Sequence, residues 1–166
     1  MEAWRMFKPL PVAMITSVEE DGSFRCSPFT WLIPVSKESG FVVMMRKESK
    51  TLDNLRERPK LAVAWMPPAY SVAQAVKETK SPLNPFKFEM MTPDGFSMPV
   101  PAVSIYSLEA EVIMIESMEK VFLEWTHEMV FCRAVKEFVR DRISIPLLHM
   151  GFKSFAVAQE FQVEGY

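Results

Sequence analysis

Between Phe41 and Pro59 the chain reads FVVMMRKESKTLDNLRERP, an apolar run that stops abruptly in groups suited to binding phosphate. Val42, Val43, Met44 and Met45 are long enough as a run for a buried strand, and residues 49–55 carry helix-initiating and helix-propagating types. At a helix start the first amide N–H groups lack partners and the backbone dipole is positive, so a phosphate there is stabilised without any side chain. Ser49 and Thr51 add hydroxyls; Arg46, Lys47 and Lys50 add charge. The same residues admit an ordinary use. Ser49 can cap its own helix, while Lys50, Arg56 and Arg58 pair with Glu48, Asp53 and Glu57 on a solvated face. Taken alone, the segment leaves both uses open.

The elements that must position this junction follow from the pattern around it. Residues 11–18 are rich in branched side chains, and Glu19-Glu20-Asp21-Gly22 supplies a turn ending in glycine, which together make a hairpin signal. Ser23 to Cys26 is the expected return strand; after Pro28 the segment FTWLIPVS stays apolar to Ser36, and residues 37–40 turn again. Phe41 to Arg46 and LAVAWM at 61–66 are expected as buried strands, the second ended by Pro67-Pro68. Ser71 to Thr79 places Val72, Ala75 and Val76 on one helical face. Lys80 to Pro101 holds prolines at 82, 85, 93, 99 and 101 among scattered Phe and Met, and is expected as a long packed loop over a ligand or a second subunit. Leu108 to Ile115 alternates as a half-buried strand. Phe131, Ala134, Val135, Phe138 and Val139 fall at helical spacing, so periodicity alone favours a helix there, although 129–139 also reads as a strand. Ser154 to Val163 reads as a closing strand.

Composition removes several alternatives. A chain of 166 residues fits one domain with one core. Its 49% hydrophobic and 24% charged residues match an ordinary globular protein, and 13 Pro leave little room for long helices. A net charge of -2, with bases and acids interspersed, gives no electrostatic footprint for nucleic acid. No apolar run approaches the ~20 residues that span a bilayer, and MEAWRMFKPLP lacks the core of a signal peptide. A cytoplasmic protein without membrane contact is expected. Cys26 and Cys132 are too few for a disulfide framework, and His127 and His149 form no cluster at metal-ligand spacing, so no metal is expected.

Four segments in order carry a resemblance: PLPVAMITS from Pro9, CSPFTWLIPVS from Cys26, FVVMMRKESKTLDNLRE from Phe41, and PLLHMG at 146–151. Together they resemble the flavin reductase-like family of FMN-binding split β-barrels. The resemblance covers roughly residues 1–66 and the last 20 or so. It implies one mainly β split-barrel domain over 1–166, with a few short helices. It implies an FMN whose phosphate is held by Arg46, Ser49, Lys50 and Thr51, with Asn54 at a family position on the following helix. The flavin ring would lie along Ser27, Pro28, Phe29, Thr30 and Trp31, whose hydroxyls, aromatics and backbone suit a flat polar-edged ring; Phe29 also suits core packing, and Trp31 a dimer partner. His149 in PLLHMG becomes the candidate catalytic residue, as a group that binds or orients at the flavin or nicotinamide, beside its plain reading as a structural histidine. Cys26 adjoins the ring segment and also suits a small buried hydrophobe. The resemblance reads WTHEMVFCRAV, with His127, as a strand. The family's homodimers imply FMN near a subunit interface. The implied activity is hydride transfer from NAD(P)H to flavin, with electrons passed on to free flavin, iron or a protein acceptor. The alternative is an electron carrier of the flavoredoxin kind, without nicotinamide turnover of its own. Arg25, Cys26, Cys132 and Gly151-Phe152-Lys153 depart from the family pattern, which leaves the nicotinamide side least defined.

Overall fold

The computed structural model describes residues 10–36, 39–78, 88–117, 119, 126–140, 146–151 and 154–156. The chain begins with β1 (Leu10–Pro11) and β2 (Ala13–Val18), then turns at Gly22, whose φ of 83° is the left-handed conformation that glycine adopts without strain. It returns as β3 (Phe24–Phe29), which runs past the expected end at Cys26 and through Pro28. Proline is tolerated there because β3 is an edge strand, bonded among the described strands to β2 alone. Next come β4 (Leu32–Pro34), β5 (Gly40–Arg46), helix α1 (Lys50–Glu57), β6 (Lys60–Trp65) and helix α2 (Tyr70–Glu78). The excursion beyond α2 lies outside the described residues until Phe88; from there it forms the two-residue strands β7 (Met90–Met91) and β8 (Val100–Pro101). The long pair β9 (Tyr106–Ser117) and β10 (His127–Val139) follows, then β11 (Leu148–Gly151) and β12 (Ser154–Ala156). The expected continuation of the closing strand to Val163 lies outside the described residues.

Seven strands form one antiparallel sheet in the order β3-β2-β6-β9-β10-β5-β4. Its two edges, β3 and β4, are consecutive in the chain and joined only by Thr30 and Trp31. A link that short forces the edges together, so the sheet curls into a barrel closed by the chain and split along that seam. Alternation then sorts side chains to two sides. Ala13 and Ile15 of β2, Val43 and Met45 of β5 and Leu61 and Val63 of β6 fill the interior, with Leu52 and Leu55 of α1 sealing one end. The opposite faces of β2 and β6 carry Val12, Met14, Ala62 and Ala64 into a second cluster, covered by Val72 and Val76 of α2 and by Met98, Val100 and Leu147. An eight-residue helix is too short to persist alone. Fully buried Leu52 and Leu55 hold α1 in place, each contributing roughly 1.5–3 kcal/mol.

The region where periodicity suggests a helix is β10, paired on both sides, to β9 and to β5. Of two β-bulges in the β9–β10 pair, the one within β10 explains the misleading spacing. Ile113 of β9 and Val135 of β10 are extra residues that the partner strand skips, and each shifts the alternation by one position. A strand whose phase jumps midway imitates a 3.6-residue period.

Candidate functional site

Strand β5 ends at Arg46 and α1 starts at Lys50, with Ser49 as its N-cap in extended conformation (φ -75°, ψ 121°). Ser49 makes no side-chain cap hydrogen bond, so its hydroxyl does not serve the helix in the ordinary way. The first intrahelical bond runs from Asp53 N–H to the Ser49 carbonyl at 3.2 Å, which leaves the N–H groups of Lys50, Thr51 and Leu52 ahead of the helical ladder. Among the described residues, Arg46 and Lys50 form no ion pair and no side-chain hydrogen bond. Their neighbours differ. Lys47 pairs with Glu119, Arg56 with Glu128 at 2.7 Å and Asp53 at 3.2 Å, and Arg58 Nε donates to the Val18 carbonyl at 3.1 Å. The solvated ion-pair face therefore exists, but it takes in Arg56 and leaves out the two cations flanking Ser49. Lys50 instead borders a groove of about 520 Å³ whose other wall is the hairpin tip Glu19, Glu20, Asp21 and Ser23.

The two remaining members of the phosphate segment are inside. Thr51 and Asn54 are each 1% exposed. Asn54 Nδ2 donates to Ser17 Oγ at 3.1 Å, bracing α1 against β2, while its Oδ1 has no partner among the described residues.

The ring segment divides at its centre. Ser27, Pro28 and Phe29 close β3, and Phe29 packs against the barrel interior. Thr30 and Trp31 are the seam itself, and the Trp31 carbonyl accepts from Met44 N–H at 3.0 Å, which draws the seam toward the end of β5. Trp31, 42% exposed, stacks on His127 with ring centroids 5.3 Å apart and planes 24° apart. His127 sits opposite Arg46 in the β10–β5 register, and its Nδ1 lies 2.9 Å from Thr126 Oγ1. Partial burial, then the Arg46 guanidinium, hold the imidazole below its ordinary pKa against the opposing pull of Glu48, so the ring is neutral at pH 7. Trp31, His127, Arg46 and the α1 start thus meet at one mouth of the barrel. Cys26 lies on the other side of β3, in the second cluster; burial pushes its thiol up to about 11, so at neutral pH it is a protonated small hydrophobe.

His149 is placed elsewhere. Its backbone lies on β11 between Leu10 and Phe155, in a separate sheet tied through Leu147 to Met66, just past the end of β6; α1 leads into the other end of that strand. The His149 side chain lies outside the described residues, as does Phe152. Among the described side chains, His127 is the histidine beside Arg46. The usable signal was WTHEMVFCRAV read as a strand, which puts His127 at its first position. A cavity of about 640 Å³ opens at the opposite mouth, between Leu32, Phe41, Trp65, Tyr106, Leu108 and Ala134 and away from these groups.

A seven-stranded antiparallel sheet closed only by a two-residue seam is a split β-barrel. The chain belongs to the flavin reductase like domain family, whose model matches residues 6–157. A search of curated proteins gave no match. Among solved structures, the chain is similar to a split-barrel-domain protein from Shewanella frigidimarina, at 10% identity over 98% of this chain and 88% of that one, with a TM-score of 0.82. It is also similar to the styrene monooxygenase flavin reductase of Pseudomonas putida S12, at 13% identity over 97% of each chain (TM-score 0.79). A third similar structure is an FMN-binding protein from Thermus thermophilus with bound p-hydroxybenzaldehyde, at 14% identity over 96% of this chain and 91% of that one (TM-score 0.79). At such identities the likeness carries the fold. No helix among the described residues is long and apolar enough to cross a membrane.

Proposed function

We propose that this protein is an FMN-binding oxidoreductase of the flavin reductase type, working as a homodimer. The observation that carries the reading is the uncommitted donor set at the β5–α1 junction: Arg46, Lys50 and the Ser49 hydroxyl have no acceptor among the described residues, whereas the nearby cations Lys47 and Arg56 do. A phosphate dianion fits that chemistry. Arg46 and Lys50 would neutralise it, and Ser49 and the leading α1 amides would donate to its oxygens. Thr51 and Asn54, both buried, would hold the junction rigid from beneath.

Seam and edge strand suit a flavin ring. Strand β3 is bonded on one side only, so its other edge offers backbone N–H and C=O groups to the polar rim of the ring beside Ser27 and Thr30. Trp31 and neutral His127 would supply a flat wall next to it. A bound flavin would supply hydride and electron chemistry, from NADH or NADPH to free flavin, iron or a protein acceptor. His127, with Nδ1 engaged by Thr126, has Nε2 left to orient a nicotinamide or flavin edge.

The homodimer reading rests on the β4 edge. Trp31, Ile33 and Val35 are 42%, 53% and 56% exposed in a row beside an unpaired strand edge, an apolar surface that soluble proteins cover. A partner seated there would also wall the ring segment.

The purified protein's visible spectrum, taken anaerobically with and without NADH or NADPH, tests the whole reading. Flavin absorbance that bleaches on adding either nucleotide is the expected result. Absorbance that persists points to electron carriage without nicotinamide turnover. Colourless protein that takes up no added FMN removes the proposal.

A further inference from the structure

One buried carboxylate has no part in the flavin reading. Glu109 of β9, 3% exposed, faces outward from the barrel and lies beneath the excursion between β7 and β8. Its Oε2 accepts from the Ser97 N–H, from Ser97 Oγ at 3.1 Å and from the Met98 N–H at 3.2 Å. Its Oε1 accepts from Lys136 Nζ at 3.2 Å, and Lys136 also donates to the Gly95 carbonyl. One carboxylate and one ammonium therefore grip both sides of the turn. The register shows what else faces Glu109: Lys136 from β10, the uncharged Ala62 from β6, and Ser97 and Met98 from above. Lys136 is the one charged group among these.

We propose that Pro93–Pro101 is a strap latched by the Glu109 carboxylate, and that neutralising this group opens the strap while the barrel stays folded. The strap has its own apolar hold, buried Phe96 together with Met98 and Val100 in the second cluster, and none of its described residues belongs to the interior cluster. Three donors from the strap converge on one ion, and hydrogen bonds to an ion weaken by about half when it becomes neutral. A segment whose side-chain polar hold converges on one ion pair opens locally when that pair is broken, below the energy of global unfolding. The latch is pH-dependent in a definite direction. Burial pushes the Glu109 carboxyl up, but the Ser97 donors and Lys136 outweigh it and hold it below its ordinary value. Its contribution is complete above the unfolded-chain value and fades as pH falls through the lower folded one.

Amide hydrogen exchange reads the latch directly, because the Ser97 and Met98 N–H groups are its donors. In Glu109→Gln at neutral pH, the amides of the non-proline residues between 93 and 101 are expected to exchange about tenfold faster, with β5 and β6 amides unchanged. Cys26, in the same cluster as Met98 and Val100, should be alkylated faster, while Cys132 inside the barrel serves as the unreactive control. If strap exchange is unchanged, apolar contacts alone hold it and the proposal fails. Equal acceleration throughout the barrel also overturns it, since Glu109 would then support the fold as a whole. Should Glu109→Gln not fold, the native protein taken from about pH 5 to about pH 3, corrected for intrinsic exchange rates, is read by the same criteria.

Discussion

The start of α1 and the underside of the Pro93–Pro101 strap both gather cations, hydroxyls and backbone N–H groups at the surface of the barrel. They differ in who supplies the acceptor. Under the strap, Glu109 from the same chain takes donors from Ser97, Met98 and Lys136, and the result is a piece of structure. At the α1 start, Arg46, Lys50 and the Ser49 hydroxyl meet no acceptor among the described residues. A donor cluster closed by its own chain reads as fold, and one left open reads as a site for an anion from outside. The group types are similar, although the α1 donors lie in one short stretch of chain and Lys136 reaches the strap from β10. The source of the acceptor separates the two places.

Three substitutions probe that contrast. Asn54→Ala has the largest expected effect, because it removes the brace between α1 and β2 and strands the buried Ser17 hydroxyl. It should cost roughly 1–3 kcal/mol in urea denaturation. Unchanged stability with lost flavin binding would instead move Asn54 to the open side of the comparison. Lys50→Ala should leave stability within about 0.5 kcal/mol, since the side chain is exposed and forms no ion pair among the described residues. FMN affinity should fall about tenfold by fluorescence titration; an unchanged affinity would sink the phosphate assignment. Ser49→Ala is the finest test. Loss of a working N-cap costs about 1 kcal/mol, but a serine that caps nothing should cost less than about 0.5 kcal/mol while still weakening FMN binding. A full capping penalty in thermal denaturation, with FMN affinity intact, would return Ser49 to the closed side.

Much of the fold was legible where local chemistry and long-range packing agree. The Gly22 hairpin, the LAVAWM strand, the α1 helix after an apolar strand and the amphipathic α2 all stand within a few residues of their expected bounds. Legibility failed where the phase of a strand breaks. The bulges at Ile113 and Val135 arise from pairing between β9 and β10, and no residue type near them announces the shift. The excursion after α2 was expected over a ligand or a second subunit; its described part, residues 88–101, contributes Phe88, Met90, Met91, Met98 and Val100 to the second core cluster. Of the two histidines, His149 had the stronger motif, yet the β10–β5 register gives His127 the place beside Arg46 and Trp31.

The sequence by itself determined the strand-rich architecture, the short helices and the concentration of phosphate-suited groups between Phe41 and Pro59, because alternation, turn chemistry and helix signals act over a few residues. Tertiary structure alone decided three things: that the sheet closes at a two-residue seam, that Arg46 and Lys50 meet no partner among the described residues while Lys47 and Arg56 do, and that Glu109 answers to Ser97. The reason is physical. Whether a charge is satisfied depends on groups brought within about 3 Å by the whole chain's path, and that distance carries no trace in local spacing.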